Sequence, residues 1–285
     1  MPALIDIRRR IRSVKSTEQI TKAMKMVSAS KLRRAQEAMF AARPYARKMI
    51  DVLGNMASRA TPSVHPLLRE GEGNRVALIV VAADKGLCGG FNANIIRAAT
   101  QFLSTRAVED VELFVVGRKA RDYFRRRPFK IRDEHVGVFQ PLKYQTAQEI
   151  ARRAMAAFTS EEVDHVHLVY NEFKSVIQQR VVTDPLLPVP RSLADPKEPL
   201  LDYLYEPDPA EIFREVLPKY VEIRIWHAML ESAAAEHGAR MTAMDAATKN
   251  AGEAIDRLTL YMNKVRQAAI TKEIIEVVSG AGSTA

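Results

Sequence analysis

Leu4, Ile7, Ile11 and Val14 step along the chain by three, four and three residues, which is a heptad rhythm. No proline or glycine falls between Ala3 and Arg43. The pattern predicts one long helix, about 60 Å for this stretch at 1.5 Å per residue. Pro44 is expected to bend it, and the helix to continue toward Ala57. Within it, "ITKAMKMVSASKLRRAQEAM" (Ile20 to Met39) carries a thin apolar stripe of Ile20, Met24, Val27, Leu32 and Ala35. Lys22, Lys25, Lys31, Arg33 and Arg34 crowd around that stripe, so a core position does not suit it. The stripe is expected to face a partner helix. Arg59 to Asn74 holds two prolines and two glycines and reads as a linker.

From Arg75 the period changes. "VALIVVAA" is a continuous apolar run of strand length, as in a strand covered on both faces. "VELFVVG" and "VDHVHLVYNEF" read as further strands, and "GGFNANIIRAATQFL", "RKARDYFRRR" and "QTAQEIARRAMAAF" as helices. Strands alternating with helices predict a mostly parallel sheet with crossover helices. "SVIQQRVVTDPLLPV" follows after too short a gap for a crossover and is expected as an antiparallel edge strand. The proline-rich "DPLLPVPRSLADPKEP" closes this part.

In "YEPDPAEIF", Asp208 stands at an N-cap, Pro209 at the first helical position and Glu211 three residues after the cap. Pro218 is expected to break or kink the helix it opens. From Lys219 to Ser279 there is no further proline and only Gly238 and Gly252, a span of roughly 90 Å if helical. Alanines are dense between Ala228 and Ala254, and small side chains let helices approach closely. Ile255, Leu258, Met262 and Val265 then restore a wider stripe. The expected fold is mixed α+β and α/β. A long antiparallel coiled coil of the N- and C-terminal helices carries an inserted, mostly parallel, Rossmann-like α/β domain. The boundaries are 1–58 for the first shaft helix, 75–200 for the α/β domain and 208–285 for the second shaft helix.

Charge sharpens the picture. The chain of 285 residues carries a net +9, but residues 1–48 hold 13 Lys and Arg against 3 Asp and Glu. That segment should seek an acidic partner, whether nucleic acid, an anionic membrane or an acidic protein surface. Cys88 is the single cysteine, so no internal disulfide can form. No apolar run reaches the roughly 18 residues of a membrane span. The start, "MPALIDIRRR", lacks a signal-peptide core and has an early Asp6, which fits a cytoplasmic chain.

Catalytic chemistry finds little purchase. "DKGLCGGFN" (Asp84 to Asn92) joins a strand to a helix where a phosphate loop would sit, yet its glycines match neither GxGxxG nor a P-loop. A tight turn is the expectation. The histidines 65, 135, 165, 167, 227 and 237 show no ligand spacing. His165 and His167 share one strand face, which is too few ligands for a metal. No GxSxG, HExxH or Cys–His arrangement is present, so neither a catalytic group, a cofactor nor a metal is expected.

"ITKAMKMVSASKLRRAQ", "DKGLCGGFN", "YLYEPDP" and "NKVRQAAITKEIIEVVSGAGS" together resemble blocks of the gamma-subunit family of F-type ATP synthases, in the same order and over essentially the whole chain. The resemblance implies a non-catalytic central rotor shaft within a ring of alpha and beta subunits. It also implies contacts to the epsilon and delta subunits and to the c-ring. Proton flow turns the c-ring, and the shaft drives the beta sites through different nucleotide affinities. Carried over residue by residue, Met24 matches the methionine near an acidic loop of beta, and Lys25 beside it is a candidate for charge contact. Arg266 and Gln267 match the pair at its catch loop. Arg240, Thr271 and Glu273 match coupling positions, while Tyr205 and Glu206 lie where the shaft meets the c-ring or epsilon. The chloroplast relatives' cysteine-bearing insertion is absent, and a bacterial plasma membrane is the expected setting. Two rivals remain at this point. A basic coiled-coil adaptor would bind duplex with steep salt dependence, although no nucleic-acid module accompanies the basic helix. A dinucleotide enzyme would need the missing phosphate loop.

Overall fold

A computed structural model of the chain describes residues 2–57, 65–71, 73–190 and 209–282. These fall into two compact units, Met1–Ser28 with Met241–Ala285, and Ala29–Arg240. Helix α1 spans Pro2–Ala57 and helix α5 spans Pro209–Gly282, so each contributes residues to both units. The expected N-cap Asp208 lies outside the described residues.

The larger unit is built on a five-stranded sheet in the order β3-β2-β1-β4-β5. Strand β1 (Val76–Val81) is its centre, with β2 (Val111–Val116) inner on one side and β4 on the other. Every residue of β1 is buried, which is why the run is apolar without alternation. β4 (His165–Phe173) runs parallel to β1, and β5 (Gln179–Leu187) returns antiparallel along β4. The short gap before β5 had pointed to that return. Pro185 sits in β5, where an edge strand tolerates a missing donor.

β3 (Lys130–His135) was not foreseen, because "KIRDEH" has neither an apolar run nor alternation. It is the opposite edge, parallel to β2, and its charges are paired rather than buried alone. Lys130 and Arg132 reach Glu112 at 2.5 and 2.6 Å, and Arg132 also pairs with Glu162. Such charges blunt an exposed edge.

Helices cover both faces. α2 (Phe91–Leu103) packs on β1, β4 and β5, and α3 (Arg118–Phe124) on β2 and β3. On the other face Ala77, Ile79 and Val81 join one core with Ala151, Ala154 and Phe158 of α4 (Tyr144–Thr159) and with Phe213, Leu217, Tyr220 and Ile225 of α5. Each large side chain so buried contributes about 1.5–3 kcal/mol. That packing explains why α5 runs unbroken through Pro218, against expectation. The lost hydrogen bond costs about 3 kcal/mol, and the core contacts on both sides of the proline hold the segment helical. The stretch read as a linker is also more than that, since Leu67 and Leu68 of a short helical turn are 2 % exposed.

The smaller unit is an antiparallel helix pair. Lys25 Nζ meets Asp245 at 2.6 Å, Thr248 Oγ1 donates to Thr21 Oγ1 at 2.8 Å, and Gly252 lies against Glu18. Partners thus descend on one helix as they ascend on the other.

Candidate functional site: the helix pair and the crevice at the sheet

The heptad that starts at Leu4 and Ile7 continues by sevens to Glu18, Thr21, Lys25 and Ser28. Leu4, Ile7, Thr21 and Ser28 are buried, and Glu18 and Lys25 half-buried. The seam of the smaller unit is therefore apolar near its start and polar further on. This corrects the expectation for the apolar stripe. Ile20 and Val27 do not face the partner helix; they are 56 % and 55 % exposed, as is Met26 at 62 %. Met24 is half-buried beside them. On α5 Leu260 and Tyr261 are likewise exposed, while the exposed Ile270, Ile274, Ile275, Val277 and Val278 lie past the start of α1 in the register that sets Lys25 against Asp245 and Glu18 against Gly252. Where a coiled coil in water hides its apolar residues in the seam, this one turns many of them outward.

The candidate residues sort accordingly. Lys25 holds Asp245, and that bond is the first reason the Asp245 carboxyl lies below the usual range. Arg266, Gln267, Thr271 and Glu273 are all exposed on α5. Tyr205 and Glu206 lie outside the described residues. Arg240 is different in kind, being 7 % exposed within the larger unit.

Arg240 belongs to the crevice at the carboxyl ends of β1 and β4. In this strand order the crossovers depart in opposite directions from that point, and open α/β sheets bind ligands there. Here α5 fills it. Glu231 accepts from the Phe173 amide at 2.8 Å and Ser232 from the Asn171 amide at 3.2 Å. A side chain on Gly238 would press on the Phe173 ring at 3.3 Å. Arg240 donates to the Gly86 carbonyl at 3.2 Å and to Glu236 at 2.6 Å. Burial pushes the Glu236 carboxyl up, with Arg240 pulling the other way. Burial, Arg240 and Lys31 push His237 down to about 4.

The "DKGLCGGFN" loop is the expected tight turn, satisfied from within. Asn92 Oδ1 accepts from the Ala83 amide at 3.0 Å, and the Asp84 carboxylate accepts from the amides of Arg118 and Gly137. Gly117, at φ +91, lies so close to β1 that a Cβ would sit 2.0 Å from the Ala82 carbonyl oxygen. These bonds tie the loop to the end of β1, to the start of α3 and to the turn after β3. Among the described residues no group of three or more His, Cys, Asp or Glu could hold a metal ion. No described helix is long and apolar enough to cross a membrane.

A family model described as ATP synthase matches residues 3–283. The chain belongs to the ATP synthase gamma-chain family. It is 54% identical over 287 residues to the ATP synthase gamma chain of Solibacter usitatus and 50% identical over 283 residues to that of Pelotomaculum thermopropionicum, with 99% of each chain covered in both cases. Among solved structures it is similar to a chain of the Tetrahymena thermophila mitochondrial ATP synthase central stalk and c-ring. That match has TM-score 0.62 and 28% identity, over 80% of this chain and 99% of the other. A chain of the Euglena gracilis mitochondrial ATP synthase shares the fold at TM-score 0.73 and 19% identity, covering 99% of this chain and 95% of the other. Family membership also accounts for the long helices and inserted sheet that the sequence pattern predicted. Glu231 and Ser232, which bond α5 to β4, and Glu236, which holds Arg240, were not singled out from sequence. Their only signal is two acids and a serine in an otherwise alanine-rich helix.

Proposed function

We propose that the chain is the central rotor shaft of an ATP synthase, turned by a proton-driven c-ring and cycling the catalytic sites of the surrounding alpha and beta subunits. The observation that carries this reading is the reversed helix pair, polar in much of its seam and apolar outside at Ile20, Val27, Leu260 and Tyr261. Outward apolar groups fit a helix pair sleeved by other subunits. The interspersed Lys and Arg keep any one contact weak, worth about 1 kcal/mol or less when exposed. Many weak contacts suit a surface that must slip past its sleeve.

In this reading the shaft takes no part in the chemistry. Arg266 and Gln267 engage beta, with Thr271 and Glu273 beside them and Met24 and Lys25 on the other helix. Arg240 acts from within, holding α5 to the sheet. Tyr205 and Glu206 belong to the contact with epsilon or the c-ring. Residues 1–58 and 208–285 serve as the shaft and 75–200 as the α/β domain, on the cytoplasmic face of a bacterial plasma membrane.

The test is reconstitution. Mixed with matching alpha and beta subunits, the chain should co-elute with them and raise magnesium-ATPase turnover. Changing both Arg266 and Gln267 to alanine should lower that turnover without unfolding the chain. Folded components that elute apart would sink the proposal.

A further inference from the structure

The second basic surface of this chain lies far from its N-terminal helix. Residues 118–130, "RKARDYFRRRPFK", hold seven Lys and Arg against Asp122 alone, a net of +6. Asp122 is paired with Arg121, Arg125 with Glu134, and Lys130 with Glu112. Arg118, Lys119 and Arg126 are exposed and form no ion pair among the described residues, nor does Arg97 on the neighbouring α2.

Of these cations Arg97 lines a groove between α2 and α3, and Lys119 stands one turn before Tyr123 on α3. α2 turns Phe91, Ile95, Ala99 and Leu103 into the sheet. Its other side presents Ala93, Ile96, Arg97, Thr100 and Gln101 at i, i+3, i+4, i+7 and i+8, the spacing of one helix face. Tyr123 of α3 forms the second wall, its hydroxyl 3.3 Å from Thr100 Oγ1 and its ring capped by the Arg127 guanidinium at 3.2 Å. The groove has a volume of about 770 Å³ and a mostly apolar floor. Nothing among the described residues covers it.

We infer that the α2–α3 face docks an acidic amphipathic helix of a partner protein. A floor along three turns of α2 accepts apolar side chains at helical spacing. The unpaired Arg97 in its lining and Lys119 one turn before Tyr123 receive carboxylates, and such complementarity sets partner choice and on-rate. A membrane fits less well, because none of the exposed large apolar side chains lies on α2 or α3. Nucleic acid fits less well too, because the groove's lining is mostly apolar in area with one cation, Arg97, and its aromatic face, Tyr123, is already stacked by Arg127. The inference stands on α2 and α3 and does not depend on the shaft reading.

The experiment uses the full chain and a fluorescein-labelled peptide of about five helical turns. The peptide has leucines at i, i+3, i+4 and i+7 and glutamates elsewhere, and is titrated at roughly 0.15 M salt. Saturable binding is expected. It should weaken about tenfold in the R97E/K119E double variant, as two screened charge reversals imply. Ala93→Asp, which places an acid in the floor, should weaken it as well. A scrambled peptide of the same composition should bind about tenfold less tightly. Arg33→Glu with Arg34→Glu should leave it unchanged. All of these positions are exposed, and circular dichroism checks that each variant is folded. Equal binding of the scrambled peptide overturns the inference, as does sensitivity to the Arg33 and Arg34 changes instead. Absence of peptide binding also overturns it; phosphatidylglycerol vesicles or duplex DNA binding in its place would reassign the face.

Discussion

Arg240 shows how much one side chain can hold. Its guanidinium joins Glu236 on its own helix to the Gly86 carbonyl in the loop after β1. Arg240→Ala would leave Glu236 buried without its cation and should destabilise the larger unit by about 3 kcal/mol in urea unfolding, since breaking a buried pair costs far more than an exposed one. Beside it, His237 makes stability depend on pH. Its folded pKa of about 4 lies below the ordinary histidine value of 6.5. The unfolded chain therefore takes up the proton first. The stabilisation from a neutral His237 is complete above pH 6.5 and is lost as pH falls toward 4, by up to about 3 kcal/mol. His167, also pushed down to about 4 by burial, Arg106 and His165, works in the same direction. Glu236, raised by burial, works in the opposite sense over its own range. The comparison is thus between the chain and His237→Gln alone. The variant should lose less stability between pH 7 and pH 4.5, and an identical loss would remove His237 from the account. Cys88, by contrast, is buried against Asn92 with its thiol pushed up, so thiol reagents should react slowly.

Among elements, the turn after β2 is the least forgiving. Gly117→Ala would force a Cβ into the Ala82 carbonyl at a positive φ, and a loss of about 2 kcal/mol or more is expected in thermal unfolding. The helix pair behaves oppositely. Ile20→Ser and Val27→Ser touch side chains more than half exposed, so the isolated chain should change by no more than about 0.5 kcal/mol. Both should still weaken co-elution with alpha and beta. A large loss of stability in the isolated chain would mean these residues pack within it. The inner strands, the covering helices and the antiparallel edge at β5 were legible, because burial on two faces writes itself as unbroken apolar runs. β3 was not, because an edge strand held by ion pairs to Glu112 carries no apolar signature. The stripe of Ile20 and Val27 misled for a related reason. Apolar spacing shows that a face will be covered but not by what. Extending the Leu4–Ile7 heptad by sevens gives the true seam, through Thr21 and Ser28.

At the scale of the whole molecule, charge averaged along the chain concealed one surface and exposed another. Residues 1–48 stood out, while the net +6 of residues 118–130 disappeared into a nearly neutral remainder. The α/β domain carries the strand order of a ligand-binding fold, yet α5 lies where the ligand would enter, and only the structure brings Glu231, Ser232 and Arg240 to that crevice. The same helix that fills it supplies, further along, the exposed Arg266 and Gln267. The central claim is that the chain turns. A cysteine placed at the exposed Arg126, with Cys88 buried, accepts a bead on the chain assembled with surface-fixed alpha and beta subunits. Observed during ATP hydrolysis, the bead should rotate continuously in one direction and stop when ATP is withdrawn. Steady hydrolysis with a motionless bead would contradict the shaft reading.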